Sequence, residues 1–160
     1  MTEDLQPTTP EQRLAELGIT LPAVPKPRWS YVPCVRHDDL LFISGQIATR
    51  DGQILHSGKL GREVDVAAGQ EAARGCAIAA LAVARAELGS LDHVARVVKT
   101  NVYVASAEGF TQQPDVANGA SDLLREIFGE AGLGARAAVG VAELPLGAPV
   151  EAEFIFAVRS

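Results

Sequence analysis

Apolar positions recur along this chain with two periods, one near two residues and one near three and a half. Trp29 to Arg36 and Leu40 to Ile47 (LLFISGQI) are short β-type runs before the turn signal Asp51-Gly52, and they predict two or three antiparallel strands. Residues 65–88 contain no proline, and Val66, Ala73, Ala77, Ala80, Leu81, Ala84 and Leu88 fall at three- and four-residue steps. That spacing predicts the longest helix, ended by Gly89, with a small-residue face suited to close packing on a sheet. Val94 to Val104 alternates, with Val94, Arg96, Val98, Thr100, Val102 and Val104 on one predicted face, and reads as a central strand. A second helix is predicted from about Pro114 to Gly129, then strands at about Arg136 to Val141 and Val150 to Val158, joined through Leu144-Pro145-Leu146-Gly147. The order β-β-β-α-β-α-β-β predicts an α+β fold, with a mostly antiparallel sheet and two helices packed on one face.

The last strand shows why one chain is insufficient on this reading. Val150, Ala152, Phe154, Phe156 and Val158 make one wholly apolar face, while Glu151 and Glu153 point the other way. Two helices on one side leave a sheet face uncovered, so oligomerisation is expected. Residues 1–28 differ from the body at 29–160, because Pro7, Pro10, Pro22, Pro25 and Pro27 interrupt any long element. They read as an N-terminal extension carrying one short helix, with Thr9 as N-cap, Pro10 at the first position, Gln12 at the capping-box position, Leu14 and Leu17 as its apolar edge, and Gly18 at its end.

Composition narrows the function. The 160 residues are 48% apolar with a net charge of −6 and no basic stripe, which argues against nucleic acid and anionic membranes as partners. No run is apolar enough for a membrane helix, and Met1-Thr2-Glu3-Asp4 is acidic where a secretory signal is basic, so a cytoplasmic location is expected. Cys34 and Cys76 form no CxxC pair, and His37, His56 and His93 add no zinc-like spacing, so no metal and no cofactor is expected. The two cysteines fall in a strand and in the Ala-rich helix, where packing is the simpler role than nucleophilic catalysis.

Four segments carry a more specific signal: Tyr31; Phe42-Ile43-Ser44-Gly45-Gln46; Val97-Val98-Lys99-Thr100-Asn101-Val102-Tyr103-Val104; and Arg136-Ala137-Ala138-Val139-Gly140-Val141-Ala142-Glu143-Leu144-Pro145 running into Val150-Glu151-Ala152-Glu153. In this order they resemble the Rid family, the YjgF-type reactive-intermediate deaminases also called L-PSP endoribonucleases. The resemblance implies a chorismate-mutase-like fold assembled as a homotrimer with ligand clefts between subunits. It implies hydrolysis of enamines or imines derived from amino acids, such as 2-aminoacrylate, to 2-oxo acids and ammonia. Residue by residue, it implies that Arg136 binds the substrate carboxylate, that Glu151 positions water, and that Gly45 and Tyr31 line the cleft, with Asn118 as a further lining residue. Active deaminases of the family carry Cys two residues after the Arg, whereas this chain has Ala138, which marks a divergent branch.

The residues suit this chemistry and admit plainer roles. Arg136 offers a planar fork for a carboxylate, or a rim salt bridge to Glu151 or Glu153. Glu151 could accept a proton from water if its surroundings raise its pKa, and Glu153, with the same parity, could replace it. Gly45 inside a strand implies a bulge or a close ligand approach. Tyr31 could be a core aromatic or a cleft wall. His56 and Arg62 flank a loop with Gly58 and Gly61 that could cap a cleft or stand in solvent. A trimeric small-carboxylate binding or sensor protein without turnover is the second expectation. An endoribonuclease is disfavoured by the net charge and the lack of a His pair.

Overall fold

A computed structural model describes residues 7–160 of the protein, so the acidic opening Met1-Thr2-Glu3-Asp4 lies outside the described residues. Helix α1 (Pro10–Glu16) has the predicted cap. Thr9 accepts from the Gln12 backbone N–H while the Gln12 side chain accepts from the Thr9 N–H. Its Leu14 is buried in the main core, so this helix packs on the body.

Strands β1 (Cys34–His37), β2 (Leu40–Ile47), β5 (Val94–Ala105), β6 (Ala135–Val141) and β7 (Val150–Val158) form one sheet in the order β1-β2-β7-β5-β6. Only β5 and β6 run parallel, because helix α3 (Gln113–Phe128) carries the chain back between them. Strands β3 (Thr49–Arg50) and β4 (Gln53–Ile54) make a separate hairpin, whose turn residues Asp51 and Gly52 both have positive φ, at 53° and 78°.

Helix α2 (Val66–Leu88) starts at Asp65, whose carboxylate accepts from the Ala68 N–H, and ends at Gly89 with φ 82°. It lies beside α3 on one face of the sheet, over β2 and β7 while α3 covers β5 and β6, and its contacts with both sheet and α3 bury Ala72, Ala73, Cys76, Ala77, Ala80 and Ala84. At its crossing with α3, any Cβ on Gly119 would overlap the Gln70 carbonyl, so the missing side chain sets how closely the helices approach. The helix-facing side of β7 is the predicted apolar one, and Phe154 and Phe156 lie there fully covered with ring centroids 6.0 Å apart.

Two expectations need correction. The predicted strand from Trp29 to Arg36 begins only at Cys34, and Trp29 to Pro33 is an irregular loop in which the Tyr31 N–H bonds the Trp29 carbonyl. The simple alternation of Val94 to Val104 also fails. Register shifts between Val94 and Arg96 and between Val97 and Lys99 reset the side-chain phase, so Val97 is buried in place of Arg96 and Val98. After the second shift the alternation holds, with Thr100, Val102 and Val104 inward and Asn101 and Tyr103 outward.

Candidate active site in two halves

The open face of the sheet, opposite the helices, collects most of the predicted site. Glu151 leaves β7 between Ile47 of β2 and Tyr103 of β5. Gly45 sits at the irregularity between Ile43 and Gln46, so the bulge expected there is present. A Cβ on Gly45 would overlap Glu151 Oε1, so what comes close to this backbone is the chain's own carboxylate. Ser44 fixes the neighbouring loop: its hydroxyl donates to the Val32 carbonyl at 2.6 Å and its N–H to the Pro33 carbonyl at 2.9 Å. Those bonds bring Tyr31 over the strand, on the wall of a hollow of about 390 Å³ that also contains Trp29, Gly45, Pro145, Glu151 and Glu153. A second hollow of about 430 Å³ adjoins it, sharing Tyr31, Ser44 and Glu153 and reaching Phe42, Lys99 and Asn101.

The two carboxylates differ in what holds them. Glu153 Oε1 accepts from Asn101 Nδ2 at 3.0 Å and from the Tyr103 hydroxyl at 2.8 Å. That bond to Glu153 raises the Tyr103 pKa and keeps the phenol protonated. Burial, reinforced by the adjacent Glu153 charge, pushes the Glu151 carboxyl above the ordinary glutamate value. Two equivalent-looking glutamates in the sequence are therefore one tethered carboxylate and one untethered carboxyl with a raised pKa.

Arg136 lies elsewhere. It pairs with Thr100 across β5–β6, and Thr100 is buried against the helices, so the arginine faces the helix side at the sheet edge. There its Nη1 donates to Asn118 Oδ1 at 2.8 Å and to Ser121 Oγ at 3.2 Å, and its Nη2 to the Pro114 carbonyl at 3.3 Å. The rim salt bridge to Glu151 or Glu153 does not form within the chain, and no carboxylate pairs with Arg136 among the described residues. Asn118 is its immediate neighbour, and Ala138, two residues on, packs its methyl against the core. One chain thus holds a carboxylate half-site with Tyr31 and Gly45 on one sheet face, and a guanidinium half-site with Asn118 on the other.

The likeness to known proteins spans most of the chain. The family model described as Endoribonuclease L-PSP covers residues 22–158. The chain belongs to the L-PSP family, the YjgF or Rid proteins. It is similar to protein TCP17 of Trypanosoma cruzi, 49% identical over 141 residues and 88% of either chain. Its structure resembles that of Atu1372 from Agrobacterium tumefaciens, a protein of unknown function, with a TM-score of 0.87 and 44% identity over 95% of this chain and 93% of that one. It also resembles E. coli TdcF with bound serine, with a TM-score of 0.62 and 27% identity over 88% and 96% of the two chains. The architecture is the mostly antiparallel α+β fold of that family, and no helix among the described residues is long and apolar enough to cross a membrane.

Other candidates are accounted for by structural roles. His56 Nε2 lies 2.7 Å from Glu71 Oε2, and Arg50 bonds the same carboxylate at 2.8 Å, tying the β3–β4 hairpin to α2. Arg62 pairs with Glu63 at 2.6 Å, and burial pushes the Cys76 thiol up to about 12, which suits packing. A hollow of about 600 Å³ beside α1 and α3 is larger, but its Arg125 is paired with Glu130 and its Arg159 with the Asp92 carbonyl. Reading the sequence alone missed Trp29, Asn101, Tyr103 and Ser121. The outward parity of Asn101 and Tyr103 beside two glutamates is the signal that could have found two of them.

Proposed function

We propose that this protein hydrolyses enamine or imine intermediates of amino acids to 2-oxo acids and ammonia, in clefts between the subunits of a homotrimer. The supporting observation is the separation itself: Glu151 and Arg136 occupy opposite faces of one sheet, so a site that needs both is completed by a second copy. The exposed Tyr31, Val35, Phe42 and Val139 give that copy apolar surface to cover. TdcF with bound serine supports a small amino-acid-like ligand.

In this reading Arg136 holds the ligand carboxylate and fixes the imine carbon in front of Glu151. 2-Aminoacrylate tautomerises to 2-iminopropionate, and water then adds to its C2 while Glu151 takes the water proton. That proton passes to the nitrogen to give a carbinolamine; its hydroxyl proton then follows to the nitrogen through Glu151 as the C–N bond breaks, and ammonia and pyruvate leave. A carboxyl with a raised pKa suits both halves of that transfer. Ala138 supplies no thiol, so turnover rests on the carboxylate alone.

The test generates 2-aminoacrylate in the assay and follows pyruvate release above the spontaneous rate. Glu151→Gln should lose about 100- to 10,000-fold in rate while still binding pyruvate. Arg136→Lys should weaken pyruvate binding, since a point charge replaces a fork. Assembling Arg136→Ala chains with Glu151→Gln chains should restore roughly a quarter of the activity, because some clefts regain both intact halves. No restoration from two inactive parents would remove the shared cleft.

Ala138 also favours a second reading, a trimeric small-carboxylate binder or sensor without turnover. Pyruvate binding through Arg136 without any acceleration of hydrolysis would select it. Cleavage of RNA has little support: the chain carries −6 and His56 is committed to Glu71.

A further inference from the structure

Asn118, Ser121 and Pro114 fall on one stripe of α3, at four- and three-residue steps, and all three accept from the same guanidinium. Both Nη1 hydrogens are used, by Asn118 Oδ1 and Ser121 Oγ, and one Nη2 hydrogen is used by the Pro114 carbonyl. A guanidinium has five N–H groups. Among the described residues nothing accepts the remaining two, the Nε–H and the second Nη2–H. Pro114 lies one turn from Asn118, so α3 occupies the end of the fork and leaves the side.

We propose that Asn118 and Ser121 are positioning residues that consume the end-on hydrogens of Arg136 and leave one side-on pair, Nε–H and Nη2–H, for a single ligand carboxylate. This rests on the carboxylate-binding reading of Arg136. The consequence is selectivity: one bidentate pair fits one carboxylate, and a second carboxylate on the ligand meets no free donor of this arginine. The arrangement also limits the freedom of a long side chain at an exposed strand edge, so less is lost when the ligand docks. Neither α3 residue needs to touch the ligand.

The experiment uses the full chain with pyruvate as the probe. In wild type, saturating pyruvate should move the Arg136 Nε–H resonance, identified by its disappearance in Arg136→Lys. The double variant Asn118→Ala with Ser121→Ala should weaken pyruvate binding by about tenfold or more, because a loosened fork must be ordered again. In the hydrolysis assay it should raise KM with little change in kcat. Ser121→Thr keeps the hydroxyl and should bind like wild type. Asn118→Asp keeps shape and acceptor but pairs with Arg136, and should weaken pyruvate at least as much as Asn118→Ala. A merely structural role for α3 predicts the opposite, with Asn118→Asp near wild type.

If Arg136→Ala abolishes pyruvate binding while the α3 double variant binds like wild type, the positioning role is wrong and the carboxylate site stands. If Arg136→Ala binds like wild type, the carboxylate site itself fails. Should the double variant not fold, the wild-type resonance decides: an unmoved Nε–H at saturating pyruvate overturns the side-on fork.

Discussion

Strand β7 presents two regions that share one backbone and differ in every other respect. Its helix-facing residues, Val150, Ala152, Phe154, Phe156 and Val158, are buried and apolar, each covered by α2, α3 or neighbouring strands. Its open-face residues, Glu151, Glu153, Ile155 and Ala157, are half-buried, and the two carboxylates meet loops and hollows instead of helices. Packing saturates the first set, so it can only stabilise. The second set keeps unused hydrogen-bonding capacity and a perturbed carboxyl, which is what a reacting site requires. The same period-two geometry therefore separates stability from chemistry by about one residue step.

Breaking the packed side should have the largest effect. Phe154→Ala is expected to cost about 3–5 kcal/mol by denaturant unfolding, since a fully buried ring leaves a cavity between sheet and helices. Next in size is Gly45→Ala. The added methyl displaces the flexible end of Glu151, so turnover should fall about 100-fold while the unfolding midpoint stays near wild type. Large loss of stability in Gly45→Ala would mean that the two faces are less independent than the geometry implies. Asp65→Ala, remote from both faces, removes the α2 cap and should cost about 1 kcal/mol with no change in kcat, a reference for purely structural damage.

The smallest effects concern pH and sharpen the comparison most. In the proposed hydrolysis Glu151 is the deprotonated base, so the rate should fall as pH drops through its raised pKa. Burial is the main cause of that rise and the Glu153 charge the second, so Glu153→Gln should move the acid limb of the rate profile to lower pH without removing it. For stability the sign is reversed. A carboxyl whose pKa is higher folded than unfolded favours the folded state at low pH and loses that contribution as pH rises past the unfolded and then the folded value. Glu151→Gln should therefore be as stable as wild type in acid and more stable at neutral pH. Lower stability of the Glu151→Gln protein at pH 7, measured by denaturant unfolding, would contradict the burial of the charge.

Much of this was legible in the sequence, for local reasons. Helix α2 announced itself by spacing, Gly89 by its cap chemistry, and the alternation of β7 by period two, because each depends on neighbours a few residues away. Tyr31, Gly45, Glu151 and Arg136 were likewise nameable as candidates from the segments that carry them, and Asn118 only through the family resemblance. What the sequence left open between Glu151 and Glu153 depends on contacts fifty residues distant: Asn101 and Tyr103 tether Glu153, and nothing comparable tethers Glu151 among the described residues. The bulges that reset β5 were invisible for a similar reason, since a register shift is a property of the pairing with β7 and not of the strand read alone. The sequence by itself determined which residues are apolar, where α1 and α2 end, and which side chains are candidates for chemistry. Only the tertiary structure decided which face each side chain takes, which carboxylate is left poised, and that Arg136 lies across the sheet from it, because those depend on long-range register and on which element covers which face.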